Sequence, residues 1–266
     1  MIDNGVTCGE RLCNFINHRL LRGSVWNDLE DLLDPTGRPT QLIAFFRELA
    51  AVTLTGRIVA AGLAINNDYP IDDVTFQKLF TEHLRDVVGI PARFLNELYR
   101  ASYRAVDAAI HPISPSLQKK MRAWAILRHD QCYICGTTLE FQRPDPVKEY
   151  TLEHIWPRSY GGDSIEENLL PACKSCNSKK KSDFATWAMP AIQSLLLGIA
   201  PEEQRLAEIH GSFKFALHYR AAQDLAKRKR LTLKDAFLEL KPWTSIRVID
   251  SDDVADFFNL ENHAVS

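Results

Sequence analysis

The chain has 266 residues, of which 45% are hydrophobic and 25% are charged, which is an average composition for a soluble globular protein. This length can bury a sizeable core, and every run of 18 residues contains a charge or a polar break, which argues against a transmembrane helix. The formal net charge of −2 argues against a nucleic-acid-binding surface that covers the whole molecule.

Residues 1–118 are predicted to form a helical N-terminal region. Apolar residues recur at helical spacing in 41–65, 75–89 and 91–110, where Gly89 suits a helix end and Pro91 a first turn. The start of this region has acidic and polar residues where a signal peptide would have basic and then apolar ones. We therefore expect a cytoplasmic protein.

Residues 119–186 are predicted to form a separate module. A helix that starts with Ser116 as its cap leads directly to Cys132. Beyond it, prolines and a glycine pair interrupt the helical pattern, and the alternating run 148–155 is typical of a strand. The pattern therefore predicts a hairpin with loops inside the module.

Residues 187–266 return to helical spacing and are predicted to form a helical C-terminal region, in which Thr232 caps a helix. The fold class is therefore predicted to be mainly α with a small α+β insert in the middle. Charge follows the same division. Residues 119–186 carry 11 Lys and Arg against 9 Asp and Glu, whereas residues 1–118 carry 11 against 14. Nucleic acid is therefore expected to meet a local patch in the middle of the chain.

Four of the six cysteines form two CxxC pairs, which are separated by 37 residues. These are Cys132, Cys135, Cys173 and Cys176. Four thiolates are the ligand set of a tetrahedral structural zinc site, which leaves no open position for a substrate. The alternative is two reduced pairs without a metal. Cys8 and Cys13 have no ligand beside them and are interpreted as ordinary thiols.

Glu153 and His154 lie between the two pairs, at the end of the predicted strand. Successive side chains of a strand point to opposite sides, so both can serve one site only where the strand ends or bulges. Taken alone, this pair is a weak signal, because a single histidine is more often structural than catalytic.

The wider pattern, LEHIWPRSYGGDSIEENLLPACKSCNSKKK, resembles the HNH endonucleases, also called the ββα-metal or His-Me finger nucleases. The residues that carry the resemblance are Glu153, His154, Ile155, Pro157, the turn 159–163, Asn168, Leu169, Cys173, Cys176, Asn177 and Lys180. The resemblance covers about a quarter of the chain and nothing outside the middle.

The resemblance implies a role for each matched polar residue. His154 would be the general base that takes a proton from the attacking water. Glu153, at a position that the family more often fills with Asp or His, and Asn177 would hold a catalytic magnesium or manganese ion. Asn168 would brace the loop that positions His154.

Five basic residues surround this motif and are predicted to contact phosphate groups, with Lys180 as the strongest candidate. They are Arg158, Lys174, Lys179, Lys180 and Lys181. The alternative is a solvated helix face.

Together these features predict a hydrolase: a metal-dependent DNA endonuclease that nicks one strand, with no membrane partner. The helical flanks would bind regulatory proteins, and family analogy suggests an effector of bacterial anti-phage (antiviral) defence. Two alternatives stay open. The first is a non-catalytic zinc module that binds nucleic acid or protein, and the second is an RNase.

Overall fold

The structure is a computed structural model, and it describes eight stretches of the chain. They are residues 6–21, 42–142, 145–184, 218–219, 221–240, 242, 246–247 and 264–265. Helices and strands are numbered in chain order within these residues. Most of the predicted C-terminal region, including 187–217 and 248–263, lies outside the described residues.

Helices make up the described part of the N-terminal region, as predicted. They are α1 (Cys8–Phe15, continued by a π-helical turn Ile16–Leu20), α2 (Leu42–Asp68), α3 (Val74–Glu82, continued by a π-helical turn His83–Val87), α4 (Ala92–Ile110) and α5 (Pro115–Arg128).

Short polar side chains start several of these helices. Thr7 and Glu10 form a reciprocal capping box at the start of α1, and Asp73 accepts from the main-chain N–H of Thr75 at the start of α3. The prediction that Ser116 caps α5 is wrong. That helix begins one residue earlier, and its cap is Ser114, whose Oγ accepts from the main-chain N–H of Leu117 at 3.3 Å.

The middle of the chain contains a two-stranded sheet followed by a helix. Strand β1 (Tyr150–His154) pairs with β2 (Leu169–Cys173), and α6 (Lys174–Asp183) follows β2 directly. Two short 3-10 turns, Arg158–Tyr160 and Glu166–Asn168, lie in the connection between the strands. The predicted fold class, mainly α with a small α+β insert, is confirmed.

Short elements make up the described part of the C-terminal region. Residues 221–229 are helical, and α7 (Leu233–Glu239) begins at the predicted cap Thr232, whose Oγ1 accepts from the main-chain N–H of Asp235. Strand β3 (Ile246–Arg247) pairs with β4 (Ala264–Val265) in an antiparallel ladder.

The chain divides into two compact units that alternate along the sequence. The first, here called the helical unit, comprises Met1–Arg22, Ala50–Gln118 and His154–Leu169. The second, here called the cysteine unit, comprises Gly23–Leu49, Lys119–Glu153 and Leu170–Ser266. The chain therefore passes from one unit to the other between Glu153 and His154. The division into domains 1–118, 119–186 and 187–266 stays a prediction.

Helix α2 contributes a large share of the core of the helical unit. Ala51, Thr55, Ile58 and Val59 are fully buried at the spacing of one helix face. Within the described residues, the stretch Phe46–Asp68 is the one helix that is long and apolar enough to cross a membrane. The core helix of a soluble protein can have the same length and composition, and 28% of this stretch is buried in the structure.

The loop after β1 packs closely on α4 inside the helical unit. Gly161 ends the 3-10 turn with a φ of 80°, a left-handed conformation that glycine adopts without strain. A Cβ atom at Gly161 would lie 2.6 Å from Cβ of Ala105. This glycine therefore meets two requirements at once, a backbone conformation and a close approach.

Replacing Gly161 with alanine is expected to destabilise the protein more than the same change at Gly89. Gly89 has a similar φ of 78°, but a Cβ atom added there would have no other atom within 4 Å, so it supplies a matched control. Gly89→Ala should cost about 1 kcal/mol from backbone strain alone. Gly161→Ala should cost about 1 to 3 kcal/mol more from the collision with Ala105. Urea unfolding of both variants measures the difference, and equal losses would contradict the close packing.

Candidate active site and metal centre

Four cysteine side chains gather into one cluster in the cysteine unit. The Sγ atoms of Cys132, Cys135, Cys173 and Cys176 lie within 4.8 Å of one another, and those of Cys135 and Cys173 are 3.8 Å apart. A tetrahedral zinc ion with Zn–S bonds of about 2.3 Å places its sulfur ligands about 3.8 Å apart. The donor set and its spacing therefore fit a closed zinc site, as the two CxxC pairs predicted.

The backbone around the first pair forms a tight turn that directs both thiols to one point. The main-chain N–H of Gly136 donates to the carbonyl of Cys132 at 2.8 Å, and the N–H of Cys132 donates to the carbonyl of Thr137 at 2.9 Å. Gly136 has a φ of 74°, which lets the chain reverse directly after Cys135. The glycine that follows the first pair is therefore part of the metal-binding turn.

Hydrogen bonds distribute the protons of the cluster unequally. Bonds with Cys135, and then with the second pair, raise the pKa of Cys132 far above that of an ordinary thiol. A bond with Cys132 lowers the pKa of Cys173 to about 6 and also lowers the pKa of Cys135. Four adjacent thiolates repel one another, so the protons leave completely only when a cation replaces them.

Helix α6 continues the buried face that begins with the second pair. Its N-cap is Cys173, whose Sγ accepts from the main-chain N–H of Cys176 at 3.4 Å. Lys180 follows these cysteines by seven and four residues, which places all three on one face of the helix. That face is internal, and only 2% of the surface of Lys180 is exposed.

Lys180 forms a buried ion pair with Glu153. Its Nζ lies 3.0 Å from Oε1 of Glu153 and 3.2 Å from the hydroxyl oxygen of Tyr133. Burial lowers the pKa of Lys180, and the charge of Glu153 opposes that effect. This placement corrects the prediction that Lys180 contacts phosphate, because its ammonium group is enclosed and bound to a carboxylate.

The same pair bears on the expected role of Glu153 as a metal ligand. Glu153 is buried, and its Oε1 accepts from Lys180. Its second oxygen, Oε2, accepts no hydrogen bond from any residue that the structure describes. Glu153 therefore keeps one oxygen that is chemically able to bind a hard cation.

Asn177 is oriented by a neighbour that the sequence did not single out. Its Nδ2 donates to Oγ1 of Thr151 at 3.1 Å, and that hydroxyl donates to the carbonyl of Ala172 at 2.9 Å. Because the amide nitrogen is used in this way, Oδ1 is the atom of Asn177 that can bind a cation. Thr151 and Glu153 are two residues apart on β1 and share one side of the strand.

His154 belongs to a hydrogen-bond chain in the helical unit. Ser164 donates its hydroxyl proton to the main-chain oxygen of His111 at 2.8 Å. Its Oγ lies 3.1 Å from Nε2 of His154. A hydroxyl has only one proton to donate, so Nε2 of His154 must be the donor in the second contact. A neutral imidazole with its proton on Nε2 carries its basic lone pair on Nδ1.

Asn168 fixes both ends of the loop that follows His154. Its Oδ1 accepts from the main-chain N–H of Trp156 at 2.7 Å. Its Nδ2 donates to the carbonyls of Trp156 at 3.0 Å and of Asp163 at 2.9 Å. The main-chain N–H of Ile155, next to His154, donates to the carbonyl of Asn168 at 2.8 Å. These are the contacts that a bracing role requires.

Helix α1 holds the far end of the same loop. The main-chain N–H of Cys8 donates to Oδ2 of Asp163 at 2.6 Å, and that of Gly9 donates to the carbonyl of Gly161 at 2.7 Å. Burial and the charge of Asp163 raise the pKa of Cys8 to about 11. Cys8 therefore stays a protonated thiol, and it lies outside the four-cysteine cluster.

The remaining predicted phosphate contacts have different surroundings. Arg158 and Lys179 are exposed. Lys174 is exposed and forms an ion pair with Glu149 at 2.7 Å, which is weak at a surface and can yield to a phosphate. Lys181 lies in α6, but its side chain lies outside the described part. Phosphate binding by these four residues stays a prediction.

The candidate metal ligands are of two chemical kinds, the thiols of four cysteines and the side-chain oxygens of Glu153 and Asn177. Within the residues that the structure describes, the four cysteines are the one group of three or more Cys, His, Asp or Glu side chains that could hold an ion. The predicted ligands Glu153 and Asn177 would supply one carboxylate and one amide oxygen, and their binding of magnesium or manganese stays a prediction.

Comparison with known families decides the nature of this segment. Residues 132–183 match the family described as HNH endonuclease. The middle of the chain is an HNH domain. The match covers about a fifth of the chain. No curated protein and no solved structure gave a significant match. The HNH domain indicates a nuclease, for which nucleic acid is the substrate.

Sequence reasoning missed three residues that orient the HNH motif. Ser164 and Thr151 are short hydroxyl side chains that contact His154 and Asn177, and Tyr133 contacts Lys180. Helical spacing from Cys173 and Cys176 would have placed Lys180 on the internal face. No local pattern signals that Ser164 bonds to a carbonyl 53 residues earlier in the chain.

We expect the purified protein to contain zinc and to lose it when the cluster is broken. Cys176→Ala should reduce zinc content and lower the free energy of unfolding by several kcal/mol, because metal binding contributes directly to folding. Cys8→Ala, a cysteine outside the cluster, is the control and should retain zinc. Elemental analysis and thermal unfolding of both variants test this. Equal zinc content in the two would contradict the proposed ligand set.

Proposed function

We propose that the protein is a metal-dependent DNA endonuclease that nicks one strand of a duplex. The HNH match supports a nuclease, and the orientation of His154 is the single observation that carries the catalytic assignment. Its Nε2 is the donor to Ser164, so the neutral ring offers Nδ1 as a base.

The chemistry assigned to His154 is the removal of a proton from water. Nδ1 accepts the proton as the water oxygen attacks phosphorus. The bond to the 3′ oxygen breaks, that oxygen keeps the electron pair and takes a proton from solvent water, and the products are a 5′ phosphate and a 3′ hydroxyl group. The Ser164 contact keeps the proton of the neutral ring on Nε2 until Nδ1 accepts the proton, and Nε2 continues to donate to Ser164 in the imidazolium that forms. Asn168 and the amides of α1 hold the loop on which this geometry depends.

Glu153 and Asn177 are the residues proposed to hold the catalytic ion. Magnesium or manganese, when bound there, would stabilise the charge that develops on the phosphate and on the departing oxygen. Lys180 fixes the Glu153 carboxylate through Oε1, and Thr151 fixes the Asn177 amide through Nδ2. The four-cysteine zinc site is proposed to be structural, because its closed ligand set leaves no position for a substrate.

The wild-type protein with magnesium or manganese should convert supercoiled plasmid to the nicked form, and EDTA should prevent this. His154→Ala should slow nicking by about 10²- to 10⁴-fold, because it removes the general base. The variant should keep its zinc content and its melting temperature, which serve as controls for folding. Gel analysis of plasmid forms over time gives both rates. Equal, metal-independent rates in the two proteins would contradict the assignment.

The same assay separates the two alternative functions. A folded, zinc-loaded wild type that binds nucleic acid but never cleaves it would favour a non-catalytic module. Faster cleavage of RNA than of DNA of the same sequence would favour an RNase, since the chemistry suits either backbone.

Ser164 is proposed to be a positioning residue for His154. Ser164→Ala should lower kcat on the order of tenfold while KM stays unchanged, because the ring loses the partner that selects its tautomer. Ser164→Thr keeps the hydroxyl and should retain most of the activity. Steady-state kinetics on a labelled duplex compare the three proteins. If Ser164→Thr lowers kcat as much as Ser164→Ala does, the hydroxyl group is not what positions His154.

The biological role is proposed on family analogy alone. An effector of bacterial anti-phage defence, held inactive by a regulatory protein until infection, would be cytoplasmic and would need the same catalytic residues. Bacteria that express the wild type should then reduce phage plating, and those that express His154→Ala should not.

A further inference from the structure

The helical unit has a second polar site on α4, outside the segment that matches the HNH family. A shallow cavity of about 270 Å³ is lined by five side chains, here called the α4 patch. They are Gln77, Tyr99, Arg100, Tyr103 and Arg104. Four of them come from consecutive turns of α4, and Gln77 comes from α3.

The two arginines of the α4 patch have no carboxylate partner. Both side chains are exposed, and neither forms an ion pair within the described stretches of the chain. Arg19 and Arg85, in the same unit, are paired with Glu97 at 3.6 Å and with Asp86 at 2.7 Å. The two patch arginines are therefore available for an anion from outside the protein.

Buried aromatic residues hold the tyrosines of the α4 patch in place. The ring of Tyr99 lies 6.0 Å from that of Phe80, and the ring of Tyr103 lies 6.4 Å from that of Phe76. Both phenylalanines are fully buried. The tyrosines are half-buried, so their rings rest on the core, and neither hydroxyl group makes a hydrogen bond to another described residue. Little side-chain entropy would be lost when these groups bind a ligand.

The chemistry of the α4 patch matches a nucleic-acid backbone. Arginine, glutamine and tyrosine are all residue types that hydrogen-bond to phosphate oxygens in protein–DNA complexes. The planar guanidinium group binds phosphate with two parallel hydrogen bonds. The five lining residues include no carboxylate, which would repel a phosphate.

The position of the α4 patch relates it to the candidate base. Helix α4 ends at Ile110, and the carbonyl of the next residue, His111, accepts the hydrogen bond from Ser164 that orients His154. Seven residues make almost two full turns, so Arg104 and His111 lie on the same side of the helix, about 10 Å apart along its axis. A DNA strand advances about 3.4 Å per nucleotide, so this distance spans about three nucleotides.

We propose that the α4 patch binds the phosphate backbone of the DNA substrate a few nucleotides from the cleaved bond. This inference rests on the proposed function and extends the DNA-binding surface into the helical region. An acidic segment of a regulatory protein could also pair with two arginines. The position of His111 directly after α4 favours the substrate, because it places the patch along a path from His154.

Fluorescence anisotropy tests this with the full-length protein and a short fluorescein-labelled DNA duplex. His154→Ala is the background, so that binding is measured without cleavage. Arg100→Gln and Arg104→Gln, added singly, should each weaken binding on the order of fivefold and make the slope of log K against log salt shallower by about one. Arg85→Gln removes the same charge from a paired arginine of the same unit and should change neither quantity.

Three results would overturn the inference. The first is that both patch variants bind DNA as tightly as the background protein. The second is that Arg85→Gln weakens DNA binding as much as they do. The third is that the patch variants bind an acidic peptide more weakly while their binding of DNA is unchanged. A nicking assay on proteins that retain His154 distinguishes failure of the proposed function from failure of the patch. With the patch in use, Arg100→Gln should raise KM and leave kcat unchanged. Active nicking with an unchanged KM would reject the patch alone, and absence of all nicking would reject the endonuclease.

Discussion

The alternation of side chains along β1 is the constraint on which the candidate site depends. Glu153 and His154 are adjacent, so their side chains leave the strand on opposite sides. Glu153 is buried with Lys180 and Tyr133 in the cysteine unit. His154 contacts Ser164 in the helical unit. One peptide bond thus joins two hydrogen-bond networks, and each network needs its own scaffold. Strand β1 ends at His154.

The Lys180–Glu153 pair links the helix that carries the second cysteine pair to the carboxylate that is proposed to hold the catalytic ion. Burying two charges is costly, and loss of one partner from such a pair costs about 3 to 5 kcal/mol, so the pair is a specific restraint on geometry. The face of α6 that carries Cys173 and Cys176 also carries Lys180. The zinc site therefore sets the rotation of the helix about its own axis, and that rotation places the ammonium group against Glu153. A closed metal site can in this way position a carboxylate that it never touches.

Sequence reasoning succeeded where the signal is periodic or local. The apolar spacing in 41–65 predicted most of α2 (Leu42–Asp68), and two CxxC pairs predicted the cysteine cluster. It failed where two local signals compete or where contacts are distant. Ser114 and Ser116 are both suitable caps, and Pro115 at the first helical position selects Ser114. The bond from Ser164 to His111 joins residues 53 positions apart, and only the folded backbone brings them together.

The net charge of a segment does not determine the charge at each point of its surface. Residues 1–118 carry more acidic than basic side chains, which favoured a protein-binding role over DNA binding. At physiological ionic strength, however, charges more than about 8 Å apart are largely screened, so a phosphate responds to the nearest groups and not to the sum. Glu97 and Asp86 are each paired with an arginine, and Asp107 lies 3.6 Å from Nδ1 of His111. The two ion pairs offset the charges of Glu97 and Asp86, and Arg100 and Arg104 are the charged side chains that line the α4 patch. A segment that is acidic by composition can therefore carry two exposed arginines without a described carboxylate partner on the helix that ends next to His111.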